Sequence, residues 1–95
     1  MTSKQRAYLR KLAQTMDSIF HIGKSSVTPE FTSAIDDALE KRELIKINVL
    51  KNCFDDVKEL SMILADRTHS EVVHVMGRKI VLYRESKDNK KIILP

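Results

Sequence analysis

The sequence predicts an α/β fold in which three helices cover a four-stranded mixed sheet, in the order α-β-α-β-α-β-β. Residues 44–50 alternate apolar and polar side chains, as in a strand buried on one face. Residues after Thr28 place apolar side chains at helical spacing, and Gly77-Arg78 separates two apolar runs as in a tight hairpin. Because a strand–helix–strand unit makes parallel strands and a hairpin makes antiparallel ones, the sheet is mixed.

The first helix is predicted from about Ser3 to Met16. Apolar side chains recur there at helical spacing and define the stripe that faces the core: Leu9, Leu12, Ala13 and Met16. Most of the basic side chains of this helix lie away from that stripe. A short strand over residues 18–22 follows and leads into a basic turn that begins at Gly23.

The second helix follows Thr28, whose side chain can cap it, and Pro29 suits its first position because a missing N–H costs nothing there. This helix has the clearest amphipathic pattern of the chain, with Phe31, Ala34, Ile35, Ala38 and Leu39 on one face. The other face is acidic and carries Asp36, Asp37 and Glu40.

The remaining elements are a strand over residues 44–50, a helix starting at Asp55 or Asp56, and strands over residues 72–76 and 79–84. The third helix is expected to bury Val57, Leu60, Ile63 and Leu64. The tail is polar until residues 92–94, which are expected to dock on the body of the protein or to add a short edge strand.

The composition predicts one domain over residues 1–95, with 42% hydrophobic and 32% charged residues, as in a globular protein. No apolar run has the length needed to span a bilayer, so we expect no membrane partner. The single cysteine, Cys53, excludes an internal disulfide and is typical of a reducing compartment. These features predict a cytoplasmic protein.

The net charge of +4 is unevenly distributed along the chain. Residues 1–24 carry +4, residues 25–71 carry −4 and residues 72–95 carry +4. If the fold brings the two ends together, the molecule has one electropositive and one electronegative face. For any one lysine a solvated surface position is the simpler interpretation, but the clustering as a whole favours a polyanionic partner.

The turn formed by Gly23, Lys24, Ser25 and Ser26 is the strongest candidate site. It lies beside the predicted start of a helix, where free N–H groups and the positive end of the dipole favour a phosphate. Gly23-Lys24-Ser25 also ends like a nucleotide-binding P-loop, but Ser18 stands where that loop needs a glycine. Nucleotide hydrolysis is therefore disfavoured, and the plain alternative is a strand-to-helix connector.

No catalytic or metal site is predicted. His69, His74, Cys53 and Asp66 lack the paired spacing of a zinc site. Two adjacent carboxylates at a helix start are more typical of capping than of acid–base catalysis. We therefore expect a protein that is not an enzyme and needs no cofactor.

Several segments together carry a resemblance to a known family. They are Lys4-Gln5-Arg6 with Leu9-Arg10 and Leu12-Ala13, then Ile22-Gly23-Lys24, Ala38-Leu39-Glu40 with Glu43-Leu44-Ile45-Lys46, and Gly77 with Ile80-Val81-Leu82-Tyr83-Arg84. Over about residues 3–94 the chain resembles the YhbY family, the stand-alone bacterial form of the CRM domain, which is named for chloroplast RNA splicing and ribosome maturation.

The resemblance implies a fold similar to the C-terminal domain of bacterial translation initiation factor three. It also implies RNA binding through a glycine-bracketed loop like that of KH domains, and association with precursors of the large ribosomal subunit. Here the loop is Gly23-Lys24-Ser25-Ser26. Ser26 replaces the second glycine of the family pattern, and we expect it to offer its N–H and hydroxyl to the ligand instead.

We therefore predict a non-enzymatic, monomeric protein that binds large-subunit ribosomal RNA or its precursor particle. The predicted contacts beyond the loop are Lys4, Arg10, Lys11 and Arg84. Arg78 and Lys79 are expected to contribute less, because their hairpin is expected at the opposite sheet edge. The alternative is a protein-interaction module that docks a basic ribosomal protein on Asp36, Asp37, Glu40 and Glu59.

Overall fold

The computed structural model describes residues 1–95 and has the predicted order of elements. The helices are α1 (Ser3–Ala13), α2 (Pro29–Arg42) and α3 (Val57–Thr68). The strands are β1 (Phe20–Ile22), β2 (Leu44–Val49), β3 (Glu71–Met76) and β4 (Lys79–Tyr83). The predicted mixed α/β sheet of four strands with three helices is thus confirmed.

The strands lie in the order β1-β2-β4-β3. β1 and β2 pair in parallel, as expected for a strand–helix–strand unit, whereas β4 pairs antiparallel with both β2 and β3. The connection from β2 through α3 therefore places β3 two positions away from β2, and β4 lies between them. As a result, the turn after β1, the loop after β2 and the β3–β4 hairpin turn all lie at one end of the sheet. We call this the loop end.

Local interactions determine where α2 and α3 begin and where the β3–β4 hairpin turns. The Thr28 side chain accepts a hydrogen bond from the Phe31 N–H at 3.1 Å, with Pro29 at the first helical position. Of the two candidate starts of α3, Asp56 is the cap, since its carboxylate accepts from the Glu59 N–H at 3.1 Å. At the hairpin Gly77 has a φ of 57°, which glycine adopts without steric cost.

Two boundaries differ from the prediction, each for its own reason. α1 ends at Ala13 rather than near residue 16, since the Lys46 ammonium donates to the Ala13 and Met16 carbonyls at 3.2 and 3.3 Å. A lysine that binds the last carbonyls of a helix fixes its end. β1 is also shorter than predicted, because only residues 20–22 pair with β2.

The sheet separates two apolar layers. α2 and α3 pack on one face around a core that includes Ile35, Leu39 and Leu64. α1 packs on the other face, where Leu9 and Ala13 contact residues of β2, β3 and β4, and Ile92 and Leu94 of the tail pack against the same cluster. The tail therefore docks as expected and adds no strand. None of the helices combines the length and the apolarity that crossing a bilayer would require.

A buried carboxylate holds the tail in place. Glu43 follows α2 with a φ of 66° and is fully buried. Its side chain accepts hydrogen bonds from the N–H groups of Ser86, Lys91 and Ile92 at 2.7 to 2.8 Å. Burial alone would raise the pKa of Glu43, but these three N–H donors outweigh it, so the pKa lies below the ordinary value. The carboxylate is therefore the form that the fold requires.

Acid is expected to destabilise this arrangement. The pKa of Glu40 is also lowered, chiefly because the Ser86 hydroxyl donates to its carboxylate. A carboxyl whose pKa is lower in the folded state contributes stability above its unfolded pKa, near 4.5, and loses it as the pH falls through the folded pKa. We expect the urea midpoint to be flat above about pH 5.5 and to fall below pH 4.5. An unchanged midpoint down to pH 3 would contradict this assignment.

Candidate functional site

The basic turn after β1 leaves two backbone donors free. Ser26 donates its N–H to the Gly23 carbonyl at 3.0 Å and closes the turn, whereas the N–H groups of Lys24 and Ser25 donate to no backbone atom. The expectation that Ser26 offers its N–H to a ligand is therefore wrong, since that N–H is used within the turn. The two N–H groups at the tip, beside the exposed Lys24 side chain, remain available to an anion.

Packing within the chain does not require a glycine at position 23. A Cβ at this position would lie 3.5 Å from the Asn52 side-chain oxygen and 3.7 Å from the Leu50 side chain, which are ordinary contacts. Its φ is not in the left-handed region. The fold would therefore accept alanine at Gly23, and the missing side chain leaves room for something outside the chain to approach the backbone.

Ser26 occupies the position where a glycine would be favoured. Its φ is 56°, a left-handed conformation that costs a non-glycine residue about 1 kcal/mol. We expect Ser26→Gly to raise the free energy of unfolding by about 0.5–1 kcal/mol, measured by urea denaturation. Ser25→Gly is the matched control, because Ser25 has no positive φ, and it should give no gain. A destabilised Ser26→Gly variant would contradict this interpretation.

The predicted helix N-terminus is less suited to a phosphate than the tip of the turn. Glu30 lies in the first turn of α2 and already supplies a negative charge to the dipole. Ser26 also lines a depression with Asp55, Glu59 and Arg67, in which two carboxylates outnumber one guanidinium. An anion is therefore favoured on the outer side of the turn, near Lys24, and disfavoured on the side that faces α3.

The sheet presents an uncovered row of side chains next to this turn. Strand registers place His21 beside Asn48, Asn48 beside Lys79, and Lys79 beside Met76, one residue from each strand. The row lies on the same face as α1 but beyond its end, because α1 stops at Ala13. We call these four residues the open row. Its members are exposed or half-buried, and Met76 is 66% exposed.

A cavity of about 220 Å³ lies between the open row and the end of α1. Ala13, Met76 and Val81 give it apolar walls, and Arg10, Lys46 and Lys79 surround it with positive charge. His74, which pairs with Val81 across the β3–β4 ladder, is a further lining residue. No carboxylate lines the cavity.

Positive charge in this region is not neutralised by the chain. The four ion pairs of the molecule involve the N-terminus with Glu71, Arg84 with Asp36 and Glu40, and Lys90 with Glu85. None of them includes Arg10, Lys24, Lys46 or Lys79. The open row and the cavity, with the turn tip at the loop end of the same sheet, are therefore the candidate for binding a polyanion, and we call them together the basic surface.

The structure brings only part of the predicted site together. Arg10 lies at the cavity, and the turn with Lys24 lies at the loop end of the same sheet. The side chains of Lys4 and Lys11 are exposed on α1, without an acidic partner. Lys79 is predicted to contribute less, and its hairpin does occupy the sheet edge opposite β1. The hairpin turn nevertheless lies at the loop end, as the turn with Lys24 does.

Arg84 lies elsewhere and is already engaged. It follows β4 at the end of the sheet opposite the loop end. Its guanidinium donates to the Asp36 carboxylate at 2.5 Å, to the Asp36 carbonyl at 2.9 Å and to the Thr68 carbonyl at 2.7 Å. These contacts tie β4 to α2 and to the end of α3, so the geometry favours a structural role for this side chain.

The acidic face of α2 is also partly used within the fold. Asp36 pairs with Arg84, and the Glu40 carboxylate accepts hydrogen bonds from the Ser86 hydroxyl and from the N–H groups of Lys87 and Asp88. Of the predicted docking residues on α2, only Asp37 is left without such a contact. No group of three or more His, Cys, Asp or Glu side chains is placed to hold a metal ion.

Comparison with known proteins identifies a matching family and two relatives. The family model described as the CRS1/YhbY (CRM) domain matches residues 1–84. The chain is 43% identical over 95 residues to "Probable RNA-binding protein YqeI" of Bacillus subtilis, covering 100% of this chain and 99% of that protein. It is 30% identical to "Probable RNA-binding protein MJ0652" of Methanocaldococcus jannaschii, covering 98% of this chain and 70% of that protein.

A solved structure agrees with the fold. The solution structure of the hypothetical protein SAV1595 from Staphylococcus aureus matches with a TM-score of 0.83 at 55% sequence identity. The match covers 100% of this chain and 99% of that one.

Proposed function

Since the chain belongs to the CRS1/YhbY (CRM) domain family, we propose that it is a non-enzymatic RNA-binding protein that acts on large-subunit ribosomal RNA or its precursor particle. One observation carries the location of the site. The basic surface gathers Arg10, Lys46 and Lys79 around an uncovered part of the sheet from which carboxylates are absent. The RNA-binding names of the two relatives support the choice of RNA as the polyanion.

The turn supplies a phosphate contact at one edge of this surface. The N–H groups of Lys24 and Ser25 donate to no backbone atom, unlike that of Ser26, and the Lys24 ammonium adds charge. Main-chain N–H donors and lysines recognise phosphate and backbone shape and carry little information about base identity. We therefore place Gly23 to Ser26 at the RNA backbone, with Lys4 and Lys11 extending the positive field along α1.

The protein-docking alternative is weaker. A basic ribosomal protein would need free carboxylates on α2, but Asp36 and Glu40 already neutralise Arg84 and bind the tail. Charge reversal at Asp37 is the clean test of this alternative, because Asp37 is exposed and makes no ion pair. Under the RNA-binding proposal, Asp37→Lys leaves association with ribosomal particles intact.

Sedimentation of the tagged protein in a low-salt sucrose gradient tests the proposal. We expect co-migration with large-subunit particles, and we expect Lys24→Glu to move most of the protein to the top of the gradient. Lys58→Glu is the matched control, because Lys58 is exposed on α3, on the other face of the sheet, and should co-migrate like the unchanged protein.

Two outcomes would count against the proposal. Sedimentation of the unchanged protein only at the top would overturn the assignment to the large subunit. Co-migration of the Lys24→Glu variant to the same extent as the Lys58→Glu variant would overturn the role of the turn.

A further inference from the structure

We infer that the cavity between α1 and the open row takes a single unpaired nucleobase of the bound RNA. The inference rests on the proposed function, because it assumes that the basic surface binds RNA. It adds a specific ligand group: a base that has left the RNA stack, with its flanking phosphates on the surrounding cations. Backbone contacts alone would require no cavity.

The lining combines the two properties that a nucleotide needs. Ala13, Met76 and Val81 provide apolar contact for the faces of a base. Arg10 and Lys79 stand at the same cavity, and both are exposed and without a carboxylate partner. An arginine guanidinium can stack on a base as well as bind a phosphate. A lining that is both cationic and apolar therefore matches a nucleotide better than it matches a free anion or a purely apolar ligand.

The size of the cavity matches a single base. Pockets for drug-sized ligands have volumes of about 300–1,000 Å³, and this one has a volume of about 220 Å³. Gln14 also lines the cavity, and its side-chain amide can both donate to and accept from the edge of a base.

Lys46 gives the cavity a fixed wall. Its ammonium is held by the carbonyls of Ala13 and Met16, which joins β2 to the end of α1. The gap between helix and sheet is therefore set by hydrogen bonds within the fold. A preformed site of this kind costs less ordering on binding than one that must first be assembled.

Two hairpin RNAs of equal length test the inference. One carries a single unpaired 2-aminopurine nucleotide, and in the other this nucleotide is paired. We expect the protein to bind the first about 10-fold more tightly at one salt concentration, since the paired base must first be unpaired and unstacked, at a cost of at least about that factor. The fluorescence of the unpaired 2-aminopurine should rise as the base enters the cavity, and the chain contains no tryptophan that would interfere.

Two exposed methionines provide the variant and its control. Met76 lines the cavity, whereas Met62 is 57% exposed on α3, on the other face of the sheet. Met76→Ala should lower the preference for the unpaired nucleotide by at least about threefold, because it removes part of the apolar surface that the base would cover. Met62→Ala should leave the preference unchanged.

The outcomes separate the two proposals. Equal affinity for both hairpins would overturn the base site and leave RNA binding standing. Equal weakening of both hairpins by Met76→Ala would also overturn it, since the methionine would then contribute to general contact only. Failure to bind either hairpin at low salt would overturn the proposed function itself.

Discussion

The double variant Arg10→Glu, Lys79→Glu is expected to lose RNA binding, with an affinity at least about 100-fold lower than that of the unchanged protein. Each substitution removes one proposed phosphate contact and adds a repelling charge to the basic surface, and loss of a phosphate contact also lowers the salt dependence. The unchanged protein should show a log–log slope of about −3 to −5 against salt concentration, as for four to six phosphates. Each single variant should make the slope shallower by about 1.

A second double variant controls for net charge. Lys41→Glu, Lys58→Glu makes the same change in formal charge with exposed residues of α2 and α3, which cover the opposite face of the sheet. It should weaken binding by no more than a few fold, because screening limits the reach of a charge to about 8–10 Å at ordinary salt concentrations. An equal loss in both double variants would mean that net charge and not the basic surface determines affinity. Fluorescence anisotropy with a labelled RNA gives both quantities.

The largest effect on stability is expected at Glu43. Glu43→Gln keeps the shape of the side chain but presents an NH₂ group that cannot accept a hydrogen bond, so at least one buried N–H of the tail loses its partner. We expect a loss of about 2–3 kcal/mol in the free energy of unfolding, and about 3–5 kcal/mol for Glu43→Ala. For a domain of this size the smaller loss corresponds to a fall of about 10–20 °C in Tm.

Glu85→Gln is the control for Glu43. Glu85 is exposed and pairs with Lys90 at 2.8 Å on the surface, so its replacement should change the stability by less than about 0.5 kcal/mol. Thermal unfolding followed by circular dichroism measures both variants. A Glu43→Gln variant as stable as the Glu85→Gln variant would show that the tail does not depend on the buried carboxylate.

The fold was largely predictable because its signals are local. Thr28 and Asp56 cap helices within one turn of their own positions, Gly77 determines its own turn, and β2 alternates along its length. The order of the strands could not be obtained in this way. Placement of β4 between β2 and β3 depends on pairings between residues more than thirty positions apart.

The site was less predictable for the same reason. Lys46 and Lys79 are ordinary strand lysines in the sequence, and only the strand registers and the end of α1 place them with Arg10. Arg84 has the charge of a phosphate ligand, but its partners Asp36 and Thr68 come from two other elements. The burial of Glu43 could not be predicted from the sequence either, since its three main-chain donors lie more than forty residues away. Charge in a sequence therefore indicates a partner but not which charges remain free.

The layer between α1 and the sheet has a consequence for the order of events during synthesis. α1 leaves the ribosome early, but Leu9 and Ala13 find their contacts in Val73, Val81 and the tail, which emerge last. Arg10 and Lys79 likewise come together at the cavity only after β4 has been synthesised. A nascent chain thus displays a basic N-terminal segment without the cavity, so the proposed RNA site is completed only after residues 71–94 have been made. On the proposed function, the growing chain therefore has only this segment's positive charge for RNA, and we expect its contact with RNA to be weak and nonspecific.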